Sequence, residues 1–137
     1  MDLITDRTQA DVLLGNAKGT YGYDDLNRVE RAVAEIAAAF PRLGIGARLQ
    51  TKTDWAPPGA FSQDSWPVES QMRRYLGNVR VIRDAFQLPG QLPGSMEALT
   101  WVDANRIEEV LRLADAAIAG ITEAMRYSGE LFAGEEY

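Results

Sequence analysis

TWVDANRIEEVLRLADAAIAGITEAM, residues 100–125, decides the fold class of this chain. Ala104, Ile107, Leu111, Ala114, Ile118, Ile121 and Met125 follow one another at alternating steps of three and four, so a helix would carry all of them on one stripe. Thr100 and Asp103 form a capping-box-like pair whose side-chain oxygens can satisfy free amide hydrogens of the first turn. The stripe is apolar on one side only, so it needs other elements to pack against.

Those elements lie on either side. Residues 22–40 form a second amphipathic segment, with Leu26, Val29, Val33, Ile36 and Phe40 at the same spacing and Pro41 past its end. A third runs from a Ser65/Pro67 start to Phe86 through Val68, Met72, Tyr75, Val79 and Ile82, and Gly77 inside it suggests close approach by a neighbouring backbone. Thr8 can cap a short helix reaching about Leu14, expected to pack through Val12 and Leu13 before Gly15 and Gly19 break it. Residues 47–51 alternate like a short strand, and residues 127–134 read as a turn and a short extended segment. The doubled Leu-Pro-Gly of residues 88–94 marks a connector. The expectation is a mainly α, single domain over residues 1–137: an up-down-up three-helix bundle with a short N-terminal helix and a small β-like patch.

Composition narrows the function. A hydrophobic fraction of 46% and a charged fraction of 25% are those of a globular chain, and no apolar run is long enough to span a bilayer. There is no cysteine and no histidine, which removes the usual zinc ligands, the histidine-dependent nucleophile systems and any disulfide framework. The formal charge of −6, with basic residues dispersed, argues against a nucleic-acid partner. No cofactor or metal site is expected, nor a membrane partner. Of the basic residues only Lys18 and Lys52 are lysines.

Two helices open alike. Tyr23-Asp24-Asp25-Leu26-Asn27-Arg28-Val29-Glu30 and Trp101-Val102-Asp103-Ala104-Asn105-Arg106-Ile107-Glu108 share a pattern at a constant offset of 78 residues, which keeps their apolar stripes in register. Asn27 with Glu30, and Asn105 with Glu108, each lie three apart on one helix face. One reading makes them a carboxylate-pair or binding site. The other makes them a structural lock, satisfying backbone groups of adjacent loops such as the TKTDW segment.

Weaker candidates remain. Trp55, Phe61 and Trp66, interleaved with prolines, form either an exposed aromatic platform for a carbohydrate or peptide or a loop folded back over one end of the helices. GNAKG, residues 15–19, flanks a lysine with glycines but lacks the spacing of a phosphate loop. Tyr127, Phe132 and Tyr137 among acidic residues could serve as an interaction tail or a closing flap.

DLNRVE, TKTDW, RRYLGNV, ANRIEEVL and RYSGELFAGE occur in an order that resembles a family of small tail-associated proteins and domains encoded among tail genes of phages and prophages of Gram-positive bacteria. The resemblance covers nearly the whole chain, which looks shorter than many relatives between Val12 and Gly19. It implies a non-enzymatic structural role in the virion tail, or in the bacterial host cytoplasm during assembly. Other tail subunits would be the partners, and a homo-oligomer a possible form. The competing expectation is a recognition module that binds a surface carbohydrate or peptide through the aromatic loop.

Overall fold

The computed structural model describes residues 1–56 and 68–135, with side chains to residue 126. Among the described residues the chain is mainly helical: α1 (Gln9–Leu14), α2 (Tyr23–Ala38), a 3-10 turn (Pro41–Leu43), α3 (Glu69–Ala85) and α4 (Trp101–Glu135). The starts follow the capping logic. Thr8 accepts from the Asp11 amide while Asp11 accepts from the Thr8 amide, and Thr100 and Asp103 exchange the same two bonds ahead of α4. At α2, where Gly22 has no side chain to offer, Asp25 Oδ2 accepts from the Gly22 amide at 2.8 Å.

The apolar stripes meet in one core. Leu26, Val29, Val33, Ile36 and Phe40 of α2 and its end pack with Tyr75, Val79 and Ile82 of α3 and with Ile107, Leu111, Ala114 and Ile118 of α4. Leu88, Leu92, Met96 and Leu99 of the α3–α4 connector close over it half-buried. Among the described residues no helix is long and apolar enough to cross a membrane.

Helix direction departs from the up-down-up expectation. Arg74, early in α3, bonds Glu30 in the first half of α2, while the Phe40 and Phe86 rings meet at the other end with centroids 6.3 Å apart. Arg28 near the start of α2 reaches Glu108 near the start of α4, and Arg42 reaches Thr122 farther along. Start meets start and end meets end, so α2, α3 and α4 run parallel. Connector length permits it: the 17 residues of α3 span about 25 Å, whereas the residues between Ala85 and Trp101 can reach well beyond that when extended. Gln87, at φ 52°, ends α3 in the left-handed region while the Leu88 amide bonds the Arg83 carbonyl, turning the chain back.

Other expectations are corrected. Residues 47–51 form no strand; no strand occurs among the described residues, because the segment's carbonyl at Gln50 is taken by side chains of α3 rather than by another strand. Residues 127–135 continue α4 as helix instead of turning. Val12 and Leu13 are exposed, so α1 does not pack through them. Among the described residues nothing lies within 4 Å of a Cβ built at Gly77, so none of them makes that close approach. Ser65 and Pro67 lie outside the described residues, and α3 begins at Glu69 after an extended Val68. The apolar stripe of α4 is buried only to Ile118, and Ile121 and Met125 are exposed.

Burial predicts a sharp divide along α4. Leu111→Ala should lower the unfolding free energy by about 2–5 kcal/mol, and Ile121→Ala by less than about 0.5 kcal/mol; urea unfolding at constant m-value measures both.

Candidate functional site: two clamps on extended segments

Asn105 and Glu108 stand one turn apart near the start of α4, and the N-terminal segment lies across them. The Arg7 amide donates to Asn105 Oδ1 at 3.0 Å and Asn105 Nδ2 donates to the Arg7 carbonyl at 3.0 Å, so one side-chain amide satisfies both backbone groups of one residue. Glu108 accepts from the Ile4 amide at 3.0 Å, from Arg7 Nη2 at 2.6 Å, and from Arg28 Nε and Nη2 at 2.7 and 2.9 Å. Arg7 is buried; it also donates to the carbonyls of Ile4 and Lys18 and to Asp25, and lies over the Tyr21 ring.

Asn27 and Glu30 of α2 do the same to the segment before α3. The Trp55 amide donates to Asn27 Oδ1 and Asn27 Nδ2 donates to the Trp55 carbonyl, both at 2.8 Å. Glu30 accepts from Trp55 Nε1 at 2.9 Å and from Arg74 Nη1 and Nη2 at 2.8 and 2.7 Å. In each clamp the asparagine therefore holds a backbone, and the glutamate takes that residue's own side chain together with an arginine from the neighbouring helix. The clamped residues end matching tripeptides, Thr5-Asp6-Arg7 and Thr53-Asp54-Trp55.

The electrostatics suit permanent ion pairs. Burial works against the charge on Arg28, but the hydrogen bonds it donates to Glu108 and Asp25 outweigh it and raise its pKa. For Arg74 the hydrogen bonds to Glu30 are the leading cause of a raised pKa. Beside the first clamp the Tyr21 and Tyr75 hydroxyls bond each other, and burial pushes both phenols above their ordinary range.

Of the four residues marked by the internal echo, each asparagine stands with its own glutamate, and the two pairs serve separate segments. Glu30 and Glu108 share no partner, so they do not form a carboxylate dyad. Trp55 is 3% exposed and leaves the proposed aromatic platform, because its indole is spent on Glu30; Phe61 and Trp66 lie outside the described residues. Lys18 of the GNAKG loop pairs with Asp6 at 2.8 Å. Tyr127 and Phe132 have no described side chains, and Tyr137 lies outside the described residues. Sequence reasoning missed Arg7, Asp25, Arg28 and Arg74; the repeated Thr-Asp-x tripeptide and the arginine following Asn27 were the available signals. Among the described residues no group of histidine, cysteine, aspartate or glutamate side chains is placed to hold a metal ion, and no buried side-chain nitrogen or oxygen lacks a partner. No protein family, curated protein or solved structure matches the chain.

Removing Glu108 leaves two arginines, one of them buried, to share the single carboxylate of Asp25, so Glu108→Ala should cost about 3–5 kcal/mol, and Asn105→Ala about 1–3 kcal/mol through the unpaired Arg7 backbone; chemical unfolding of each variant checks the order. The phenols add an alkaline limit. An unfolded tyrosine ionises near pH 10 and the folded one only higher, so the unfolded state binds fewer protons above that pH and stability falls as pH rises through it. Tyr21→Phe and Tyr75→Phe should each reduce that slope, read from melting temperatures between pH 8 and 11.

Proposed function

We propose that this chain is a non-enzymatic assembly protein, a three-helix bundle that presents surfaces to other subunits, in keeping with its resemblance to phage and prophage tail-associated proteins. The observation that supports this most is the overhang of α4. Its 35 residues span about 52 Å, roughly twice the length of α3, yet among the described side chains, which reach residue 126, the last buried one is Ile118. Beyond that point Ile121 and Met125 carry the same apolar stripe into solvent. A stripe continuing past its own core at unchanged spacing suits a helix that packs on another chain, whether a tail subunit or a second copy.

The clamps support the same reading from the other side. Their chemistry is consumed in holding two extended segments, with each glutamate ringed by donors. They serve a rigid scaffold. The competing role, recognition of a carbohydrate or peptide through the aromatic loop, loses Trp55 to the interior and rests on Phe61 and Trp66 alone.

Light scattering at two concentrations tests self-assembly, and co-purification with neighbouring tail gene products tests assembly with other subunits. Ile121→Glu with Met125→Glu should leave the melting curve within about 0.5 kcal/mol of the parent, since both sites are exposed, while weakening association. A parent chain that stays monomeric and retains no tail subunit, or a double variant that associates as well as the parent, would sink the assignment of this surface.

A further inference from the structure

Residues 1–14 are tied to the rest of the chain by contacts that all reach across one turn. Ile4 and Arg7 bond Asn105, Glu108 and Asp25, and Arg7 also donates to the Lys18 carbonyl and lies over Tyr21. Asp6 pairs with Lys18, and Asp11 accepts from Asn16. A Cβ on Gly19 would collide with the Asp11 carbonyl, so the glycine lets the returning chain lie against the start of α1. The turn itself is Gly15, in the left-handed region at φ 65°, with its amide on the Val12 carbonyl. Everything that holds residues 3–11 therefore belongs to the chain beyond Gly15, and would hold the same residues if a second copy supplied them.

The residues beside that turn carry an apolar surface that the single chain leaves in water. α1 buries none of its residues, and Leu13 and Leu14, next to Gly15, are 80% and 77% exposed. If two copies trade residues 1–14, the chains cross at their opened turns, and the residues flanking Gly15 meet their own counterparts around a twofold axis. The exchange remakes every strap contact in the other copy and gives up the turn at Gly15. In return the only new contact it creates falls on the two exposed leucines.

We propose that two copies of this chain exchange residues 1–14, each laying its strap in the other's clamp of Asn105 and Glu108, with Leu13 and Leu14 of both copies packed around the axis. Arg7 of one copy then supplies the cation that Glu108 and Asp25 of the other surround, so each clamp is completed in trans. The clamp selects this occupant because it fits the sequence residue by residue, through the Ile4 amide, both backbone groups of Arg7 and the Arg7 guanidinium. Gly15 sets the balance between closed and exchanged forms. Valine there would resist the left-handed turn while meeting nothing within 4 Å among the described residues, so it disfavours the closed form alone. The inference deepens the assembly reading by naming a second copy as the partner, and it uses a different surface from the α4 overhang.

The test is an isotope-filtered NMR experiment on the full chain, with labelled and unlabelled copies unfolded together and refolded at high concentration. The expected result is a dimer showing nuclear Overhauser contacts between residues 4–7 of one copy and Asn105 or Glu108 of the other. Its dissociation constant should rise at least about tenfold in Leu13→Glu with Leu14→Glu, which removes the packing at the axis, and should fall in Gly15→Val. A chain that refolds only as monomer overturns the inference and leaves the assembly reading to other tail subunits. A dimer whose strap contacts are all intramolecular overturns it too, and if Ile121→Glu with Met125→Glu dissolves that dimer the assembly reading stands on the overhang. Contacts between copies that survive this overhang variant support the exchange and fault only the overhang surface, whereas an exchanged dimer indifferent to the leucine variant overturns the packing at the axis.

Discussion

A buried carboxylate has to be saturated, and Glu108 shows how much of this molecule follows from that requirement. Its two oxygens take donors from the N-terminal segment and from α2, so neither can leave without stranding charge in the interior. Asn105 adds a second constraint by pairing both backbone groups of Arg7, which fixes the register of the segment on the helix to one residue. Apolar packing brings α2 and α4 together, but the polar clamp decides where the chain before α2 must run. Glu30 and Asn27 repeat the arrangement for Trp55 and α3.

These clamps also account for the parallel helices. A chain that returns to the same end after each helix needs long connectors, and an extended connector lying on a helix carries unpaired amide and carbonyl groups. In the α2–α3 connector Asn27 satisfies both backbone groups of Trp55, and Arg74 and Asn78 satisfy the Gln50 carbonyl. In the connector before α4, Arg80 does the same for the carbonyls of Pro93 and Gly94.

Much of this was legible in the residues, and what was not has identifiable causes. The three long helices follow from their apolar period, and the offset of 78 residues brought out Asn27, Glu30, Asn105 and Glu108, which the structure places in two separate clamps. Direction was not readable, because a stripe at steps of three and four looks the same whichever way the helix runs. Arg7, Arg28 and Arg74 resemble solvated charges until the segments they anchor are placed beside them. For Trp55 the proline-rich surroundings left an exposed platform and a folded-back loop both open, although the preceding Thr-Asp matched Thr5-Asp6 and the structure buries it.

Parallel packing sets like poles side by side. Each helix carries a partial positive charge at its start, and here α2, α3 and α4 begin at one end of the core, where their poles repel. Asp24 and Asp25, Glu69, and Asp103 occupy the first turns of the three helices, and Glu30 and Glu108 lie a little deeper toward the same end. At the opposite end Arg83 stands in the last turn of α3 and Arg42 just past α2. The acidic residues in the first turns thus stand where three aligned dipoles place their partial positive charge, and the arginines paired with Asp25, Glu30, Glu69 and Glu108 keep that end from becoming strongly negative.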